Sequence, residues 1–274
     1  MQITAAFIGG GNMGSALVRG LIKRGVPAER ISVGETAQAL RQSLASELGV
    51  RVTADNLEAI EGAQIVVVAV KPQDMSATLQ PLRESLSATR PVVLSVAAGI
   101  RVEALRSWCG VQTPIVRAMP NRPALSGAGA SALYAAPGTP AAARELAAHV
   151  VSAVGTSVWV GSEDALDVVT ALSGSGPAYF FLLAEHLIDA AVALGLERAT
   201  ARELAIQTLF GAGQMARASD GDLARLRAEV TSKGGTTAAA LQSLENDALR
   251  DIVARAVAAA AARSAELASQ YGKI

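Results

Sequence analysis

The chain has 274 residues, 51% of them apolar, and its 24 basic and 24 acidic side chains cancel. That length and apolarity suit two domains around a large core and exclude a disordered or fibrous chain. The balanced charge leaves no basic field for nucleic acid or an anionic membrane, so a small-molecule partner is expected. A single cysteine, Cys109, excludes an internal disulfide framework and a cysteine-based metal cluster. The longest uninterrupted apolar runs, such as Ala256 to Ala262, fall short of the roughly 20 residues that a spanning helix needs. The N-terminus does not read as a signal peptide, and a cytoplasmic protein is expected.

In chain order, an apolar run from Ala5 stops at Gly9, and Gly9, Gly11 and Gly14 then open a segment with helical periodicity at Ala16, Leu17, Leu21 and Ile22. Strand, glycine turn and helix in that order are the setting of a dinucleotide site, in which a pyrophosphate meets backbone N–H groups at the helix start. A Cβ at Gly9 or Gly11 would obstruct the turn or the ligand, and one at Gly14 would push the helix off its strand. Ile31 to Gly34 reads as a second strand, Ala37 to Leu48 as a helix, Val50 to Thr53 as a short strand and Ile65 to Val70 as a strand buried on both faces. Lys71-Pro72 ends it. A helix over Met75 to Leu86, strands over Val92 to Val96 and Ile115 to Met119, and a β segment near Ala130 to Tyr134 follow. A helix from Pro140 to Ala153 and a strand from Ser157 to Val160 complete the first half.

After Gly161 the β signal disappears. Helices are expected around Asp167 to Leu172, over Ala178 to Leu194, Arg198 to Ala218, near Asp222, over Thr237 to Leu244 and from Ala248 to Ala268. The expected architecture is α/β: an N-terminal parallel sheet with crossover helices over residues 1–160, then an all-α domain over 161–274. Ala178 to Leu183 and Ile252 to Ala262 look apolar on more than one face, which calls for cover from a second copy and predicts a homodimer with interleaved helices.

Glu35 closes the second strand about twenty positions after Gly14, where an acidic residue binds the adenosine ribose. A carboxylate there favours NADH because it repels a 2′-phosphate; nearby Thr36 and Arg41 offer the opposite, a place for that phosphate. The turns Val70-Lys71-Pro72 and Ala97-Ala98-Gly99 end two further strands at the same rim of the sheet, with Lys71 either a general acid or a positioning residue. Ser232-Lys233-Gly234-Gly235-Thr236-Thr237 opens a helix without a capping box, so its N–H groups are free for a substrate carboxylate or simply for water. Leu172-Ser173-Gly174-Ser175-Gly176-Pro177-Ala178 opens another, its small residues suited either to close approach of a ligand or to a tight interdomain corner. His149 and His186 sit alone in helical stretches, and no metal site is expected.

Five stretches taken together, Gly9 to Gly14, Val70-Lys71-Pro72-Gln73, Met119-Pro120-Asn121, Leu172 to Tyr179 and Thr231 to Thr237, resemble the pyrroline-5-carboxylate reductase family over nearly the whole chain. The resemblance implies a Rossmann-type domain followed by a helical dimerisation domain, dimers that often assemble into decamers, and reduction of 1-pyrroline-5-carboxylate to L-proline with NADPH, NADH being the alternative. It implies a cofactor site lined by Gly11, Asn12, Met13, Gly14, Lys71, Ala97, Ala98 and Gly99, to which the reading of the turns and strand ends above adds Gly9, Glu35, Thr36, Val70 and Pro72. On the substrate side it implies Ser232, Gly234, Gly235 and Thr236, with the Thr237 hydroxyl near the ring nitrogen; Ser173 and Ser175 join them if the small-residue corner read above admits a ligand. Lys233 stands where the family usually has proline. A 3-hydroxyacid dehydrogenase would need a lysine on the long helix, and Ala178 to Leu194 has none. A nicotinamide-binding protein without turnover is the remaining alternative.

Overall fold

The computed structural model describes residues 3–271. They form two compact units, one holding residues up to 175 together with those from 259 onward, the other residues 176–258.

The first unit is built on strands β1 (Ala5–Ile8), β2 (Ile31–Gly34), β3 (Arg51–Thr53), β4 (Ile65–Val68), β5 (Val92–Ser95), β6 (Ile115–Met119), β7 (Gly129–Ala135) and β8 (Gly155–Trp159). They make one sheet in the order β3-β2-β1-β4-β5-β6-β7-β8. The order runs outward from β1 in both directions, so the chain reverses between β1 and β4. In open α/β sheets ligands bind at that switch point, outside the carboxyl ends of the strands. Side chains alternate across the sheet: Phe7, Val33 and Val67 enter one core, while Ala6, Ile8, Val66 and Val68 enter the other. Each face is covered by helices, which explains why β1 and β4 are apolar without alternation. Fully burying each Val, Ile or Phe contributes about 1.5–3 kcal/mol.

All neighbouring strands are parallel except β6 and β7, which run antiparallel. The reason is the connection, a single 3-10 turn over Arg122–Ser126. A parallel partner would need a crossover of a dozen or more residues.

The helices of this unit are α1 (Asn12–Lys23), α2 (Gln38–Leu48), α3 (Asn56–Ile60), α4 (Met75–Leu79), α5 (Arg83–Thr89), α6 (Val102–Cys109), α7 (Ala141–Ser152) and α8 (Ala165–Val169). The single helix expected over Met75 to Leu86 is divided, because Pro81 imposes a 3-10 turn over Gln80–Leu82 between α4 and α5. A π-helical turn, Thr170–Gly174, follows α8.

The second unit contains α9 (Gly176–Ala193), α10 (Arg198–Ala218), α11 (Leu223–Glu229), α12 (Thr236–Asn246) and the first part of α13 (Leu249–Tyr271). α9 is apolar nearly all round: Phe180, Phe181, Leu182, Leu183 and Leu187 are each more than half exposed in the single chain. Among the described residues, the helical stretch 165–193 is long and apolar enough to cross a membrane by length and composition. Uninterrupted runs miss it because Asp167, Glu185 and Asp189 punctuate it.

The α8 segment and the chain end are held in the first unit by ion pairs and a hydrogen bond. Arg117 on β6 pairs with Glu163 at 2.8 Å, Arg101 pairs with Asp164 and, at 3.2 Å, with Asp167, and Ser264 Oγ donates to Asp167 at 2.8 Å. These contacts tie residues 163–167 and the end of α13 to the sheet.

Candidate active site

The glycine turn sits at the switch point, between the end of β1 and the start of α1. Gly9 has φ +97, and an added Cβ would lie 2.9 Å from the Ala69 carbonyl oxygen and 3.1 Å from Val70 Cγ1. An added Cβ on Gly14 would overlap the Gly9 carbonyl oxygen, so only glycine lets α1 start this close to β1. Gly11 differs: it is the exposed N-cap residue of α1, and an added Cβ would meet no heavy atom within 4 Å. No side chain caps α1, and no acidic residue lies in its first turn. The first-turn N–H groups, those of Asn12, Met13 and Gly14 among them, therefore lack a side-chain partner at the positive end of a helix dipole, an arrangement that suits a pyrophosphate.

Glu35 follows β2, but its carboxylate folds back on the protein. Oε2 accepts from the Gly10 N–H at 2.9 Å and Oε1 from the Ala37 N–H at 2.9 Å, with the Thr36 hydroxyl at 3.4 Å. One carboxylate thereby braces the glycine turn and opens α2. Arg41, one turn into α2, donates to the Glu35 carbonyl at 2.6 Å and to the Thr36 carbonyl at 2.7 Å. Its guanidinium pairs with no carboxylate among the described residues. A guanidinium has five N–H donors, so an uncompensated cation with unused donors lies beside the rim of β2.

Two more strand ends border the same rim. β4 stops at Val68, earlier than the expected Val70, and Ala69-Val70 closes against Gly9. Lys71 is exposed and precedes the 3-10 turn Pro72–Asp74. After β5, Ala97 is buried and Gly99 has φ +78. A Cβ on Gly99 would lie 3.4 Å from the Ala268 backbone in α13, an ordinary contact, so it is the conformation that favours the glycine.

At the far end of β6, Asn121 is 8% exposed. Its Nδ2 donates to the Ser173 carbonyl at 2.9 Å and its Oδ1 accepts from the Ala130 N–H at 2.9 Å. Ser173 lies within the π-helical turn, and its hydroxyl donates back to the Val169 carbonyl at 3.1 Å, which leaves only its acceptor side for a ligand. Ser175 closes the turn, its N–H donating to the Thr170 carbonyl at 2.8 Å.

In the second unit, the loop Ser232 to Gly235 leads into α12. Gly234 has φ +71, and Ser232 Oγ occupies the space that a Cβ on Gly235 would need. Gly235 is the N-cap of α12, and no side chain caps it. Thr236 and Thr237 are thus the first two residues of a helix whose N–H groups lack a side-chain partner. Lys233 is exposed and makes no ion pair among the described residues.

Other reactive groups lie elsewhere. Burial pushes the Cys109 thiol up to about 12, and burial lowers the pKa of His149, with the nearby Arg24 charge adding to it. No group of three or more metal-ligating side chains occurs among the described residues. Arg117, which sequence reasoning overlooked, is 5% exposed; burial lowers its pKa and Glu163 opposes that shift. An arginine inside an otherwise apolar strand was the available signal.

Comparisons with known proteins show the family. Residues 163–267 match the family described as pyrroline-5-carboxylate reductase dimerisation, and residues 4–99 match NADP oxidoreductase, coenzyme F420-dependent. The chain is 46% identical to pyrroline-5-carboxylate reductase of Pseudomonas aeruginosa over 98% of each sequence. The solved structure of a pyrroline-5-carboxylate reductase from Coxiella burnetii superposes with a TM-score of 0.95 at 39% identity, covering 100% of both chains. That of Plasmodium falciparum pyrroline carboxylate reductase with NADP bound gives 0.82 at 30% identity, covering 97% of this chain and 98% of the other. With a sheet whose switch point carries an uncapped glycine turn, and with relatives matched end to end, this chain belongs to the pyrroline-5-carboxylate reductase family.

Proposed function

We propose that this chain reduces 1-pyrroline-5-carboxylate to L-proline with NADPH, the last step of proline biosynthesis. The observation that carries this reading is 46% identity, over 98% of the chain, to an enzyme named for the reaction, in a chain whose α1 and α12 both start without a side-chain cap. NADPH, when bound, supplies a hydride from its nicotinamide ring. Backbone N–H groups from Gly11 to Gly14 hold its pyrophosphate, and Val70, Lys71, Pro72 and Ala97 to Gly99 border it, with exposed Lys71 as a positioning cation. Glu35 braces the turn. Arg41 and Thr36 take the 2′-phosphate, in keeping with the NADP-bound relative.

The Thr236 and Thr237 N–H groups receive the substrate carboxylate at the α12 dipole, and Lys233 adds a positive charge to that loop. The Thr237 hydroxyl serves the ring nitrogen, and Ser173 and Ser175 are further candidates for binding the substrate. A protonated cyclic imine already has an electrophilic carbon. The demand on these residues is alignment and anion binding, which account for a large part of a rate enhancement.

The exposed apolar face of α9 and the groove it makes with α10, lined by Phe180, Leu183, Leu187, Leu204 and Leu209, support a homodimer. A decamer of five such dimers is the assembly that the family resemblance implies, and sedimentation would read it. We place the enzyme in the cytoplasm. The test of function is to mix purified protein, NADPH and the cyclic imine and follow the nicotinamide absorbance together with L-proline. Proline formed in step with NADPH loss supports the reading, and NADPH binding without turnover refutes it. Thr237→Ala lowers kcat/KM for the imine and leaves NADPH affinity nearly unchanged; unaltered turnover would remove Thr237 from the site.

A further inference from the structure

α9 begins at Gly176 with Pro177 in its first turn. Four residues earlier stands Ser173, whose carbonyl would accept the N–H of residue 177 in an α-helical register. Proline has no N–H to give. The chain takes a π-helical turn over Thr170–Gly174, and the side chain of Asn121, 52 positions earlier in sequence, donates to the Ser173 carbonyl at 2.9 Å. The orientation of that amide is fixed by its other half, since Oδ1 accepts from the Ala130 N–H at 2.9 Å. Asn121 is 8% exposed, so water competes little for either bond. The corner is seated on β6 as well: a Cβ on Gly174 would come within 2.9 Å of Met119 Cε. π-Helical turns inside helices are frequent at functional sites.

We propose that Asn121 is a positioning residue for imine reduction: it replaces the hydrogen bond that Pro177 cannot make and thereby fixes the Ser173 to Ser175 corner. The proposal rests on the functional reading above, in which that corner lines the substrate site. Asn121 touches neither substrate nor cofactor in this scheme; it acts through the Ser173 carbonyl.

The test is a double-mutant cycle on the full-length enzyme. Asn121→Asp keeps the acceptor for the Ala130 N–H and removes the donor to Ser173. Pro177→Ala gives the backbone a new N–H in register with the Ser173 carbonyl. In the wild-type background Asn121→Asp raises KM for the imine about tenfold while the Kd for NADPH stays within about twofold. In the Pro177→Ala background the same change moves KM less than about twofold. Equal effects in both backgrounds would overturn the proposal. If Asn121→Asp alone does not fold, recovery of folding in the double variant supports the proposal and a persistent defect overturns it. Hydrogen exchange at the Ser175 amide, run through the same cycle, needs no turnover. A wild-type chain inactive on the imine would therefore refute the function while the Asn121 coupling is still measured.

Discussion

Gly14→Ala and Gly11→Ala separate two roles that the same glycine turn combines. The new methyl at position 14 overlaps the Gly9 carbonyl oxygen and lies 3.3 Å from the Gly9 carbonyl carbon and 3.4 Å from the Ala69 methyl. The obstacle is backbone on a rigid strand end, so α1 and the turn must separate by about 1 Å to restore ordinary contact. Overpacking of this kind costs about 1–3 kcal/mol. In a chain of this size each kcal/mol lowers the midpoint by roughly 2–4 °C. The displaced N–H groups also lose their aim, and a 1 Å misplacement costs up to about 100-fold in rate. At position 11 the methyl meets nothing within 4 Å, and the backbone, φ −63 and ψ −169, suits any residue. The gain of about 0.4–1 kcal/mol from a stiffer unfolded chain is offset by the poorer N-cap, so the midpoint moves less than about 2 °C. The methyl nonetheless fills the space assigned to the pyrophosphate, and the Kd for NADPH rises about tenfold or more. Thermal unfolding and calorimetric titration with NADPH distinguish the two. A Gly11→Ala protein that binds NADPH like the wild type, or a Gly14→Ala protein that melts like it, would refute this account of the turn.

Arg41→Ala is expected to raise the Kd of adenosine 2′,5′-bisphosphate about tenfold and leave that of ADP within about twofold, since only the first carries the 2′-phosphate; equal losses in titration calorimetry would return the phosphate to some other residue. With its thiol near 12, Cys109 has about one molecule in ten thousand ionised at pH 8. A thiol reagent should leave the native protein untouched and titrate one group per chain in denaturant, and rapid native labelling would contradict the burial of that side chain. Leu183→Glu places a charge in the groove between α9 and α10, and sedimentation should show monomers where the wild type gives dimers.

Much of this was legible in the sequence, and the exceptions have physical causes. β1, β2 and β6, and the helix Arg198–Ala218, follow from apolar runs and helical periodicity closed by glycine, proline or polar residues. α6 went unread although Val102, Leu105 and Trp108 mark one buried face, because eight residues between two strands pass easily for a loop. The antiparallel β7 was hidden because strand residues carry no direction; only the short connection after Met119 reveals it. At the site, the glycine spacing marked the tight turn into α1, and the missing capping box marked the bare start of α12. Glu35 was placed correctly at the strand end, yet its rotamer, turned onto the Gly10 N–H, is a tertiary fact. Pro177 announces a missing donor in the sequence, but the residue that replaces it lies on another strand end.

The most direct test of the central claim, that the N–H groups at the start of α12 recognise the acceptor by its carboxylate, compares 1-pyrroline-5-carboxylate with 1-pyrroline under saturating NADPH. Charge-assisted hydrogen bonds contribute about 1.5–3 kcal/mol each, so losing two lowers kcat/KM for 1-pyrroline by about 100-fold or more. Near-equal kcat/KM for the two imines would contradict the account.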